Sequence, residues 1–105
     1  MDFEETFGDT IRKLREGKNL TLREVAGALK IDTSMLGKIE KNTRKPNKLF
    51  IDNIADFFSV SEKDLKIAFL SDAVAYKVVG DEDIANEVLK TAEQKVKYLK
   101  TKRSS

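Results

Sequence analysis

The 105-residue chain has no cysteine, no histidine and no tryptophan, and only one proline. Without Cys there is neither a disulfide nor a thiolate nucleophile, and without Cys or His the usual zinc sites cannot be built. A Ser or Thr nucleophile lacks the imidazole base that normally activates it. Apolar runs are short, and none approaches the ~20 residues of a membrane-spanning helix. The opening Met1-Asp2-Phe3-Glu4-Glu5 is acidic where a secretory leader is basic, so a cytoplasmic protein with no membrane attachment is expected. Carboxylates are plentiful, but no spacing converges them. No enzyme, metal site or cofactor is therefore expected.

What the chain does have is charge, and the charge is segregated. Hydrophobic residues make up 40% and charged residues 36%, enough for a small core under a highly charged surface. The net charge of +2 conceals blocks: −4 over residues 1–10, +7 over 11–48, −6 over 49–89 and +5 over 90–105. A block of +7 suits a surface that faces a polyanion.

The hydrophobic period is helical throughout. Phe7, Ile11 and Leu14 recur at i, i+4, i+7 and predict a first helix, ended by Gly17-Lys18-Asn19. Thr21 and Glu24 form a capping box that starts a second helix with Leu22, Val25, Ala26 and Leu29 on one face. Asp32 is the N-cap candidate of a third, which buries Leu36 and Ile39. Asn42 stands where that helix ends, because Asn tolerates the left-handed conformation, and Pro46 follows as a stop signal. Ile51, Ile54, Ala55 and Phe58 predict a fourth helix, and Ser61 with Asp64 opens a fifth that reaches at least Phe69. Residues 73–79 alternate like a strand, yet a lone strand has nothing to pair with, so helix is favoured. Gly80 ends that segment, and Asp81 is expected to cap a last helix to about Lys100 with Ile84, Ala85, Val88, Leu89, Ala92, Val96 and Leu99 along one side. The expected fold class is all-α.

The second and third helices are joined by about three residues around Lys30-Ile31-Asp32. Two short helices so joined must cross steeply, as a helix-turn-helix does. The run Thr21-Leu22-Arg23-Glu24-Val25-Ala26, then Leu29 through Pro46 with Ile39-Glu40 before Arg44-Lys45-Pro46, resembles the phage-repressor/XRE helix-turn-helix family of DNA-binding transcriptional regulators. The resemblance implies a five-helix lambda-repressor-like DNA-binding domain over residues 7–69, with its motif at about 22–41. Residues 70–105 would then be a C-terminal helical extension with a basic tail, a possible dimerisation element. Three positions depart from the family pattern: Leu22 where Gln is frequent, Lys30 where the turn often has Gly, and Gly37 where Ser is common.

The resemblance also assigns roles. Thr33, Ser34, Met35, Gly37, Lys38 and Lys41 are left facing outward from the third helix, and the outward residues at its N-terminal end would enter the major groove. Thr33 and Ser34 would bond base edges or phosphates, Met35 would meet a thymine methyl, and Lys38 would donate to guanine. Asn42, Thr43, Arg44 and Lys45 match the loop that clamps the phosphate backbone, and Arg23 belongs to the same basic block. Arg15 and Glu40 match a structural pair holding the first helix to the third. Apart from the resemblance, the surplus of apolar residues reads Phe50 and Phe57 as an exposed strip, with Ile67 and Phe69 adding to it, that either marks a dimer interface together with Ile84, Val88 and Leu89 or packs under the C-terminal helix of the same chain.

The function implied is sequence-specific regulation by a homodimer on a (pseudo)palindromic operator in double-stranded DNA, and within the family the chain is similar to restriction–modification controller proteins. The alternative is an antitoxin-type module that neutralises a protein partner through its C-terminal helix and autoregulates its operon.

Overall fold

A computed structural model describes residues 4–104 of the chain. The acidic opening Met1-Asp2-Phe3 lies outside the described residues, as does Ser105. Six helices, and no strand, occur among the described residues: α1 (Phe7–Gly17), α2 (Leu22–Leu29), α3 (Thr33–Glu40), α4 (Lys48–Phe58), α5 (Glu62–Val78) and α6 (Ala85–Ser104). No helix among them is long and apolar enough to cross a membrane. The chain divides into two compact units, residues 1–72 and residues 73–105.

The helices start where side-chain oxygens can accept orphan amides. Thr6 caps α1 by accepting from the Asp9 amide, and Thr21 and Glu24 form the full reciprocal box on α2. Asn47 accepts from the Phe50 amide at 2.8 Å and Ser61 from the Asp64 amide at 3.1 Å. Asp32 precedes α3 in extended conformation but makes no side-chain cap bond.

Helix ends share one device. Asn19, Lys30, Asn42 and Ser59 all adopt left-handed backbone, with φ of 55°, 57°, 62° and 54°. The next amide then returns to the last helical turn, as in Leu20 to Arg15, Ile31 to Ala26, Thr43 to Lys38 and Val60 to Ala55. After α1, α2 and α4 that next residue is Leu20, Ile31 or Val60, and each packs against the core. After α3 it is Thr43, which is exposed. The chain is thus anchored into the core by this residue at three helix ends and not at the fourth, where Thr43 faces solvent.

In the first unit, α1 and α2 pack on α3, and α2 also meets α4. Ile11, Leu36, Ile39, Ile54, Leu65 and Val25 are its largest fully buried side chains. Burying each contributes roughly 1.5–3 kcal/mol relative to exposure. Phe7 meets Phe69 edge-on with ring centroids 5.6 Å apart, and the Phe7 amide donates to the Asp72 carboxylate at 2.7 Å.

Several expectations are corrected here. Phe50 does not lie in an exposed strip: it is 5% exposed, in the core. Its spacing from Ile54 and Phe58 is i, i+4, i+8, which places it on the inward face as surely as its spacing from Phe57 suggested a second strip. Phe57 does stay partly exposed and rests edge-on against Phe58. Phe69 is not surplus surface, because it packs on the core with Phe7. Leu49 joins Phe57 as an exposed hydrophobic of α4.

The second unit contains the end of α5 and all of α6. Residues 73–78 are helical, and Gly80, at φ 98°, ends the segment. Asp81 does not cap α6. The Ile84 amide bonds the Asp81 carbonyl at 3.1 Å, closing a turn over 81–84, and the Glu82 carboxylate accepts from the Gly80 amide at 2.8 Å. That hydrogen bond holds the Glu82 carboxyl below the usual carboxylate range. The helix therefore begins at Ala85, leaves Ile84 outside it and runs on to Ser104.

Candidate nucleic-acid interface

The turn from α2 into α3 depends on Lys30, whose backbone is left-handed. A non-glycine residue in left-handed backbone is strained by roughly 1–2 kcal/mol, and the flanking amides offset this by bonding the end of α2: Lys30 to Gly27 at 3.2 Å and Ile31 to Ala26 at 3.0 Å. The third helix then presents a short inward face and a longer outward one. Leu36, Ile39 and Glu40 are buried, while Thr33, Ser34, Lys38 and Lys41 are exposed. Met35 departs from the outward reading, since it is partly buried and packs against the core. It precedes Ile39 by four residues and so shares that side of the helix. Gly37 needs no special backbone, and a Cβ built there would lie 3.8 Å from the Leu22 side chain. Leu22 accordingly serves as packing beneath α3.

A buried ion pair fixes the outward face to the rest of the unit. Arg15 from α1 donates from Nε to Glu40 Oε2 at 2.8 Å and from Nη2 to Oε1 at 2.9 Å, a two-pronged bond, and from Nη1 to the Leu20 carbonyl at 2.9 Å. The Arg15 and Glu40 side chains are only 13% and 6% exposed. Bonding to Glu40 raises the Arg15 pKa above its already high ordinary value. Both carboxylate oxygens of Glu40 are thereby engaged inward. From Thr33 to Lys48 the sequence has one acid, Glu40, so every exposed ionisable side chain in this stretch is basic: Lys38, Lys41, Arg44, Lys45 and Lys48.

The loop after α3 is tied down by a residue expected to contact phosphate. The Asn42 side chain donates from its amide nitrogen to Thr6 Oγ1 at 2.9 Å and accepts from the Gly8 amide at 3.0 Å. It is turned back onto the start of α1. The Thr43 hydroxyl donates to the Lys38 carbonyl at 3.2 Å, while Arg44 and Lys45 extend into solvent. Arg23, on α2, is also exposed.

Two contributors were not singled out from sequence. Gly8 lets α1 sit directly on the end of α3: a Cβ there would fall 2.4 Å from the Glu40 carbonyl oxygen and 2.7 Å from that of Ile39. Thr6 caps α1 and also receives Asn42. The sequence signal for Gly8 was faint, a lone glycine in a first helical turn, which can mark close backbone approach. Among the described residues no group of three or more acids could hold a metal ion.

A helix-turn-helix family model matches residues 11–65, a span that includes Arg15, Arg23 and the whole stretch from Thr33 to Lys45. An uncharacterized HTH-type transcriptional regulator of Bacillus subtilis (strain 168), YazB, is 38% identical over 61 residues, covering 58% of this chain and 88% of that protein. No solved structure gives a significant match.

Proposed function

The chain belongs to the helix-turn-helix family of XRE-type, DNA-binding transcriptional regulators, and on that premise we propose that it is a cytoplasmic, sequence-specific regulator that reads double-stranded DNA as a homodimer. One observation carries the reading: the only acid between Thr33 and Lys48 is turned inward onto Arg15, so that the exposed charges within this stretch are all positive. In this account Thr33, Ser34 and Lys38 meet base edges in the major groove, with Lys38 donating to guanine. Lys41, Arg44, Lys45, Thr43 and Arg23 contact phosphates and set the register. Asn42 acts through Thr6 and Gly8 by holding the loop against α1, and Met35 supports the reading helix from below. No catalytic step, metal or cofactor is part of this reading.

A single short reading helix covers few base pairs, so two-fold pairing on half-sites about one helical turn apart supplies the remaining specificity. Occupancy of a promoter by the dimer would block or recruit polymerase, as in a restriction–modification controller protein. The exposed hydrophobic residues of α6 are the observation that favours the second reading, an antitoxin-like contact with another protein. Equilibrium binding to duplex DNA at several salt concentrations tests the electrostatic part. With about six phosphates neutralised per dimer, log K falls against log salt with a slope of roughly −5. A flat response from folded protein contradicts the proposal.

A further inference from the structure

From Asp81 onward the chain carries its charge in three blocks. Residues 81–87 hold four acids and no base, residues 88–94 one of each, and residues 95–103 five bases and no acid. Along α6, Leu89, Ala92, Val96 and Leu99 recur at alternating spacings of three and four, the period of a two-helix seam. Leu89, Val96 and Leu99 are 41%, 63% and 57% exposed.

We propose that this face is a contact between two copies of the chain, with their α6 helices paired antiparallel. Charge decides the orientation. A parallel pair sets acid beside acid at one end and base beside base at the other. An antiparallel pair brings the acidic stretch 81–87 toward the basic stretch 95–103 of the other copy, twice over by symmetry. With Gln94 at the centre, Leu89 lies opposite the partner's Leu99, and Ala92 opposite the partner's Val96.

The seam is modest. The 20 residues of α6 make a rod about 30 Å long, and the alanine rungs bury little, so the interface falls near or below the ~1,200 Å² lower bound of stable complexes. Such a contact is weak in free solution. It gains strength when two reading domains occupy adjacent half-sites, which raises the effective concentration of one α6 for the other. The inference deepens the homodimer reading above and rests on it.

The absence of native cysteine makes single-cysteine variants clean probes. Ala92→Cys and Val96→Cys chains are mixed in free solution at high protein concentration and mildly oxidised. The antiparallel register predicts that disulfides joining an Ala92→Cys chain to a Val96→Cys chain exceed either same-variant product at least fivefold. An excess of the product joining two Ala92→Cys chains marks a parallel pair and overturns the proposal. Charge exchange adds a second readout by sedimentation. Asp81→Lys with Asp83→Lys, or Lys102→Glu with Arg103→Glu, weakens association about fivefold in low salt, and the four changes together restore it. Failure of the fourfold variant to recover overturns the charge argument. A monomer at every concentration contradicts the homodimer reading itself, whereas a dimer lacking the expected cross-link overturns this interface alone.

Discussion

Removing the Glu40 side chain gives the most informative single perturbation of the domain. In Glu40→Ala, Arg15 loses both prongs of its carboxylate bond, at 2.8 Å and 2.9 Å, and keeps the Leu20 carbonyl at 2.9 Å and the more distant, exposed Glu16 carboxylate at 4.0 Å. The Arg15 side chain is 13% exposed, so water replaces the lost acceptor poorly. Stranding one member of a buried pair costs about 3–5 kcal/mol. At about 4–8 °C per kcal/mol for a domain of this size, the melting temperature of the helix-turn-helix unit should fall by at least ~12 °C. The magnitude belongs to the stranded charge and not to the net value of the pair. The double variant Arg15→Met with Glu40→Leu should therefore recover most of the loss. Thermal unfolding followed by circular dichroism measures both, and below its transition Glu40→Ala should keep the wild-type order of preference among DNA sites. A melting temperature unchanged within ~2 °C, accompanied by lost DNA binding, would refute the reasoning and move Glu40 from scaffold to contact residue.

Other perturbations follow from the same geometry. Gly8→Ala places a Cβ 2.4 Å from the Glu40 carbonyl oxygen, a backbone clash that should cost about 1–3 kcal/mol or more in denaturant unfolding. Lys38→Ala should relax preference at one position in each half-site at a cost of ~1–3 kcal/mol, whereas Arg44→Ala should weaken all sequences alike and reduce the salt slope; identical specificity profiles would refute that division of roles. A hydrogen bond with Asp52, reinforced by the Asp52 and Asp56 charges, raises the Glu62 carboxyl above its ordinary value of 4.5. The folded state thus holds this proton more tightly than the unfolded one, and the stabilisation is lost as pH rises through the raised value. Glu62→Gln should flatten that part of the stability–pH curve, an outcome read from urea unfolding at a series of pH values upward from 4.5.

Local chemistry is what the sequence made legible. The Thr21–Glu24 box, the left-handed Asn42 and the breaker at Gly80 each depend on a few adjacent residues, and each occurs in the structure. Short helices are harder to orient. Neighbouring positions differ by about 100° around a helix, and an inward stripe is at least that wide, so Met35 and Phe50 fit either side of its edge. Both turn inward. The start of α6 escapes the capping pattern because a carboxylate beside a turn can close the turn instead of capping a helix, and here Glu82 takes the Gly80 amide. Least visible are the tertiary ties. The Asn42 bonds to Thr6 and Gly8 span 36 and 34 residues, and no periodicity within one segment encodes them.

The central claim, that the outward face of α3 with its following loop reads DNA as part of a two-fold pair, is tested most directly by selecting the full chain on random duplexes and sequencing the bound fraction. The account predicts an enriched inverted repeat, with half-site centres about one helical turn apart, whose preference at one position per half-site disappears with Lys38→Ala. Selection that yields no enriched sequence from folded protein, or an enriched site unaltered by Lys38→Ala, would contradict it.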